Sequence, residues 1–60
     1  MKKYKLINQD GKELIASAFD IGNGLFIIGQ ERKKGTILCN TLPITKKIIE
    51  TVYNLKLEVN

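Results

Sequence analysis

The chain has 60 residues, with ten Lys or Arg against six Asp or Glu, no histidine, one cysteine and a formal net charge of +4. That is enough for one domain. It excludes an intramolecular disulfide and leaves no imidazole to ligate zinc or to act as a base.

A chain this short buries only about 60% of the surface it exposes when unfolded, so a lone core is marginal and association with further copies is one way to complete it. The N-terminal run Met1-Lys2-Lys3-Tyr4-Lys5-Leu6-Ile7-Asn8 is basic, without the apolar region of a signal peptide behind it. The longest apolar stretch, Leu25-Phe26-Ile27-Ile28, is far shorter than the roughly 20 residues that cross a bilayer. The expectation is a cytoplasmic protein with no membrane partner.

Turn signals at short intervals favour strands over the first two-thirds of the chain. Tyr4 to Asn8 reads as a first strand, with Tyr4 and Leu6 on one face. Gln9-Asp10-Gly11-Lys12 is a turn, because Asp-Gly supplies positive φ at little steric cost. Glu13 to Asp20 follows as a second strand, although Ala16 and Ala18 lower its β propensity. Ile21-Gly22-Asn23-Gly24 is a second turn. Leu25 to Gly29, apolar on both faces, reads as a central buried strand. A polar loop, Gln30 to Gly35, leads to a partner strand over Thr36 to Cys39.

The period then changes. Thr41 is placed as a helix N-cap, with Pro43 in the first turn where its missing N–H costs nothing. Ile44, Ile48 and Val52 recur at helical spacing, widened by Ile49 and Tyr53, and Asn54 is the left-handed residue that ends the helix. Leu55 to Val59 alternates as a last strand. The order ββββαβ predicts a single α+β domain over residues 1–60, a small antiparallel sheet with one amphipathic helix packed on one face.

Gly11-Lys12-Glu13 entering a strand, then Leu25-Phe26-Ile27-Ile28-Gly29, then Lys34-Gly35-Thr36-Ile37-Leu38-Cys39, together resemble the YunC-like family, a bacterial and archaeal domain of unknown function. The resemblance runs over about residues 11 to 53. Asn40 departs from it, standing where such sequences tend to carry glycine after the cysteine, and the chain ends before their further helical region. The resemblance implies an oligomer built through β-strands and no assigned activity.

No catalytic constellation is visible. Cys39 lacks a histidine partner and, at the end of an apolar strand, reads as a small buried hydrophobe. Gly22-x-Gly24 lacks the third glycine and the following helix of a phosphate loop. Asp10, Glu13, Asp20, Glu31, Glu50 and Glu58 are dispersed, with no spacing that suggests a metal or acid–base work, so no cofactor is expected. Cations do cluster. Arg32, Lys33 and Lys34 occupy a hairpin tip, Lys2, Lys3 and Lys5 the N-terminus, and Lys46 and Lys47 the helix start. Any of these can seat a phosphate backbone. Phe26 and Tyr53 are placed inside, which leaves Tyr4 as the stacking aromatic that single-strand binding wants.

The leading functional expectation is a non-enzymatic module that associates with itself through β-strands, using the first or the last strand as an open edge. The alternative is a small basic nucleic-acid binder using the cationic hairpin loop. A shared-site enzyme comes last.

Overall fold

The computed structural model describes residues 1–39 and 41–60. Asn40, the departure from the YunC-like pattern, lies outside the described residues, as does the side chain of Lys34. Four strands follow one another, β1 (Lys2–Ile7), β2 (Glu13–Gly22), β3 (Leu25–Glu31) and β4 (Ile37–Cys39). Then come a two-residue strand β5 (Ile44–Thr45), a helix α1 (Lys46–Thr51) and a final strand β6 (Lys56–Val59). The sheet order is β4-β3-β2-β1-β6 with every pairing antiparallel, and β5 also pairs with β3. This is the expected α+β architecture, with one strand more than expected.

Local chemistry explains the turns. The Asn8 carboxamide oxygen accepts from the N–H groups of Asp10 (2.9 Å) and Lys12 (3.0 Å), closing the β1–β2 turn around Gly11. Asn23 and Gly24 adopt φ of 56° and 73°. That pair of positive values is what a type I′ hairpin demands, and Asn-Gly supplies it.

The helix is shorter than its apolar stripe and begins later. Thr45, not Thr41, is the N-cap, its hydroxyl accepting from the Ile48 N–H at 3.3 Å. Thr41 serves the sheet instead, where its hydroxyl accepts the Ile28 N–H at 3.1 Å. Between the pairs Gly29–Cys39 and Phe26–Ile44, the β4–β5 side carries two residues more than β3. The strand is therefore interrupted, and Pro43, with no N–H to donate, falls inside the interruption. Ile44, expected on the helix, belongs to β5. At the other end Asn54 has the expected left-handed φ of 56°, and the Leu55 N–H reaches back to the Ile49 carbonyl at 3.1 Å.

One residue of α1 is buried. Ile49, at 0% exposure, packs with Leu6, Ala18, Phe26 and Ile28, while Tyr4, Leu14, Ala16, Ile44, Leu55 and Leu57 close the cluster from its margins. Ile48 and Val52, expected to lead the buried stripe, are 36% and 67% exposed, and Tyr53, expected inside, is exposed as well. Six helical residues rest only one side chain on the sheet.

The opposite face has no helix, yet Phe19 is only 3% exposed there. Its cross-strand partners are Lys3 on β1 and Ile27 on β3, and an apolar lysine stem can cover a ring while its ammonium reaches water. Gly29 lies in the next row, opposite Ser17 and Cys39. A Cβ at this position would run into the Leu38 carbonyl oxygen and lie 3.0 Å from Ile37 Cγ2. The absent side chain is what allows β4 to approach so closely.

Replacing Ile49 by Ala is expected to cost about 2–4 kcal/mol through the cavity left between sheet and helix. The same change at Ile48 should cost less than about 1 kcal/mol, because that side chain already meets solvent. Urea denaturation midpoints of the two variants measure the difference, and equal losses would contradict the packing described.

Candidate functional site

The cationic clusters are distributed over two faces. Alternation along β1 puts Lys3 and Lys5 on the helix-free face, in rows with Phe19 and Ser17. Lys2 and Tyr4 point to the helix side. By register Glu31 lies two strands from Lys3 and four residues beyond Ile27. In a flat sheet that separation would be about 16 Å between Cα atoms. Sheets twist rather than lie flat, and here Lys3 Nζ meets Glu31 Oε1 at 3.1 Å. Lys3 thus adjoins the β3–β4 tip, where Arg32 and Lys33 are exposed. At that tip the Arg32 N–H donates to Thr36 O at 2.7 Å, and the Thr36 hydroxyl donates to Lys33 O at 3.0 Å around a 3₁₀ turn, Lys33–Gly35. Lys46 and Lys47 stand on the helix side, Lys46 facing Glu50 at 3.9 Å.

Tyr4 packs against the core rather than standing open on the surface. It is half-buried, its ring set edge-to-face on Phe26 (centroids 5.7 Å apart, planes at 74°), with Lys2 Nζ 5.4 Å from its centroid. Alternation along β1 turns it into the core, and Tyr53 is the exposed aromatic. Cys39 also departs from expectation. It is exposed, with Sγ 2.8 Å from the Thr41 carbonyl oxygen, because β4 is an edge strand and this residue faces the side that no helix covers.

Hydrogen-bond parity locates the free backbone groups. In an antiparallel ladder, residues that exchange bonds alternate with residues that do not. The Arg32–Thr36 bond and the Ile28–Thr41 bond both set even-numbered β3 residues towards β4. Odd-numbered residues of β3 then bond to Ser17 and Phe19 on β2, Ala18 and Asp20 bond to β1, and Lys5 bonds to Glu58 on β6. Two strands therefore direct N–H and C=O groups outward, β4 at Ile37 and Cys39, and β6 at Leu57 and Val59. The first strand, expected as a candidate edge, is internal, because β6 returns to its free side. The last strand is an edge as expected.

An open cleft of about 460 Å³ lies where the β1–β2 turn meets the end of α1, lined by Asn8, Gln9, Glu50, Asn54, Leu55 and Lys56 among others. Of its polar lining, the Asn8 carboxamide oxygen is already engaged by two backbone donors, and the Glu50 carboxylate faces Lys46 at 3.9 Å. Among the described residues no three His, Cys, Asp or Glu side chains group as metal ligands. No helix among them is long and apolar enough to cross a membrane. The chain matches no family model, no curated protein and no solved structure.

Sequence reasoning missed the exposure of Cys39, and Pro43 close after it was the available signal that the strand there is interrupted at an edge. A disulfide-exchange thiol reagent is expected to modify Cys39 in the folded protein without waiting for unfolding. Labelling at the global unfolding rate would show the thiol to be buried.

Proposed function

We propose that this chain is a non-enzymatic interaction module that associates with copies of itself through its sheet edges. One observation carries the reading, the open β4 and β6 edges with apolar side chains beside them. Leu38 on β4 and Val59 on β6 are exposed, as are Leu42 between β4 and β5 and Ile48, Val52 and Tyr53 on and after α1. The fully buried large side chains, by contrast, are Leu6 and Ile49. A core that small leaves apolar surface for a partner to cover, and edge pairing satisfies the outward backbone groups at the same time. Sedimentation velocity across the micromolar range should show an assembly larger than 6.8 kDa, with a thermal midpoint that rises with protein concentration. A concentration-independent folded monomer would overturn the proposal.

A second reading has one specific observation behind it, the Lys3–Glu31 ion pair, which brings an N-terminal lysine to the residue next to the exposed Arg32–Lys33 tip. A nucleic-acid backbone fits such a patch through phosphate contacts alone, without base stacking, since Tyr4 is turned inward. Glu31, held by Lys3, competes with a phosphate at that spot. Under this reading single-stranded DNA or RNA shifts in a mobility assay at about 50 mM salt, and the affinity falls steeply as salt rises. No shift at that salt would dispose of it.

A further inference from the structure

The two open edges differ in what they offer a partner. The β4 edge is three residues long and ends in the interruption that contains Pro43. Short edges, irregularities and proline are the devices by which sheets discourage pairing. The β6 edge, Lys56-Leu57-Glu58-Val59, has neither glycine nor proline and keeps its register with β1 along its whole length. Its outward N–H and C=O groups belong to Leu57 and Val59. Its charged side chains, Lys56 and Glu58, are exposed on the helix-free face, and neither takes part in the ion pairs formed among the described residues.

Resting on the self-association reading, we infer that a second copy of this chain adds antiparallel to β6 about a two-fold axis passing at Leu57, so that Lys56 of each copy faces Glu58 of the other.

Three registers keep outward-bonding residues opposite one another. An axis at Glu58 gives the most backbone bonds, with Leu57 opposite Val59, but it sets Glu58 against Glu58. That pair does not exchange bonds and is therefore the closely spaced kind, and like charges directly opposite destabilise a ladder. An axis at Val59 pairs only Val59 with its mate within β6 and brings neither Lys56 nor Glu58 opposite a charged residue of the partner's strand. The axis at Leu57 satisfies the rest. Leu57 exchanges both backbone bonds with its symmetry mate, Lys56 and Glu58 make two cross-strand ion pairs, and on the helix side Val59 comes opposite Leu55. Val59 is 63% exposed in the single chain, so this contact covers an apolar side chain that nothing else covers. Glu58 would then lie between Lys5, its partner across β1–β6, and Lys56 of the second copy.

The charge pattern of this interface can be swapped. Lys56→Glu alone places a carboxylate against each Glu58, and Glu58→Lys alone places an ammonium against each Lys56. Each single variant should raise the self-dissociation constant by about tenfold or more. Mixing the two variants in equal amounts should restore assembly as a heterodimer. The Lys56→Glu copy then presents carboxylates at both positions and the Glu58→Lys copy ammonium groups at both, so each cross-strand pair is again of opposite charge. The double variant should assemble with itself like the parent chain. Circular dichroism confirms that each variant is folded. Mixing also separates the interface from any internal cost of setting lysine at position 58 beside Lys5. Sedimentation velocity and native mass spectrometry read the outcome. If the parent chain assembles but neither single variant weakens it, another surface carries association, so this inference fails while the self-association proposal stands. If the single variants weaken assembly but the mixture does not form a heterodimer, the register is wrong. A parent chain that stays monomeric removes both.

Discussion

The fold depends on the chain getting from one side of its sheet to the other. After β5 it stands at the edge beside β3, and it must reach the free side of β1, four strand spacings or about 19 Å away. Only a six-residue helix and a short connection make that crossing. Ile49 holds it in place, fully buried against Leu6, Ala18, Phe26 and Ile28, which come from all three central strands. That contact anchors the crossing, and β6 is then held on β1 by its four-residue ladder and by Leu57 packed on the same cluster.

The crossing also sets which backbone groups remain free. Once β6 covers β1, the open edges are β6 itself and the interrupted β4–β5 line. Their chemistry differs for local reasons. Thr41 lends its hydroxyl to Ile28 where a ladder bond would otherwise stand, and Pro43 cannot donate, so the β4–β5 line is poorly suited to receive another strand. The last strand has no such defect, and its alternation places apolar and charged residues on opposite faces.

The helix-free face is organised around Lys3 and Phe19. Lys3 reaches Glu31 across it, and Phe19 is buried between Lys3 and Ile27 without a covering helix. An exposed ion pair of this kind contributes little to stability. Its consequence is positional, because it draws Lys3 towards the Arg32–Lys33 tip while a carboxylate offsets its charge.

Local signals in the sequence determined the turns, the strand alternation and the α+β class. Asp10-Gly11 and Asn23-Gly24 announce their reversals through the positive φ they tolerate, and alternation in Tyr4-Lys5-Leu6 and Leu55-Lys56-Leu57-Glu58-Val59 marks two strands directly. What only the tertiary structure decided is which of several equivalent residues each contact uses. Thr41 and Thr45 are both competent caps, and sheet pairing claimed the first. Ile44, Ile48, Ile49 and Val52 share one apolar stretch, yet a helix of under two turns crossing a sheet can bury only the residue directly beneath it. Burial of Tyr4, exposure of Cys39 and the identity of the open edges follow from strand order, which is a relation between segments distant in the chain. Periodicity reports the face a residue shares with its neighbours in sequence. It carries no information on what lies across that face.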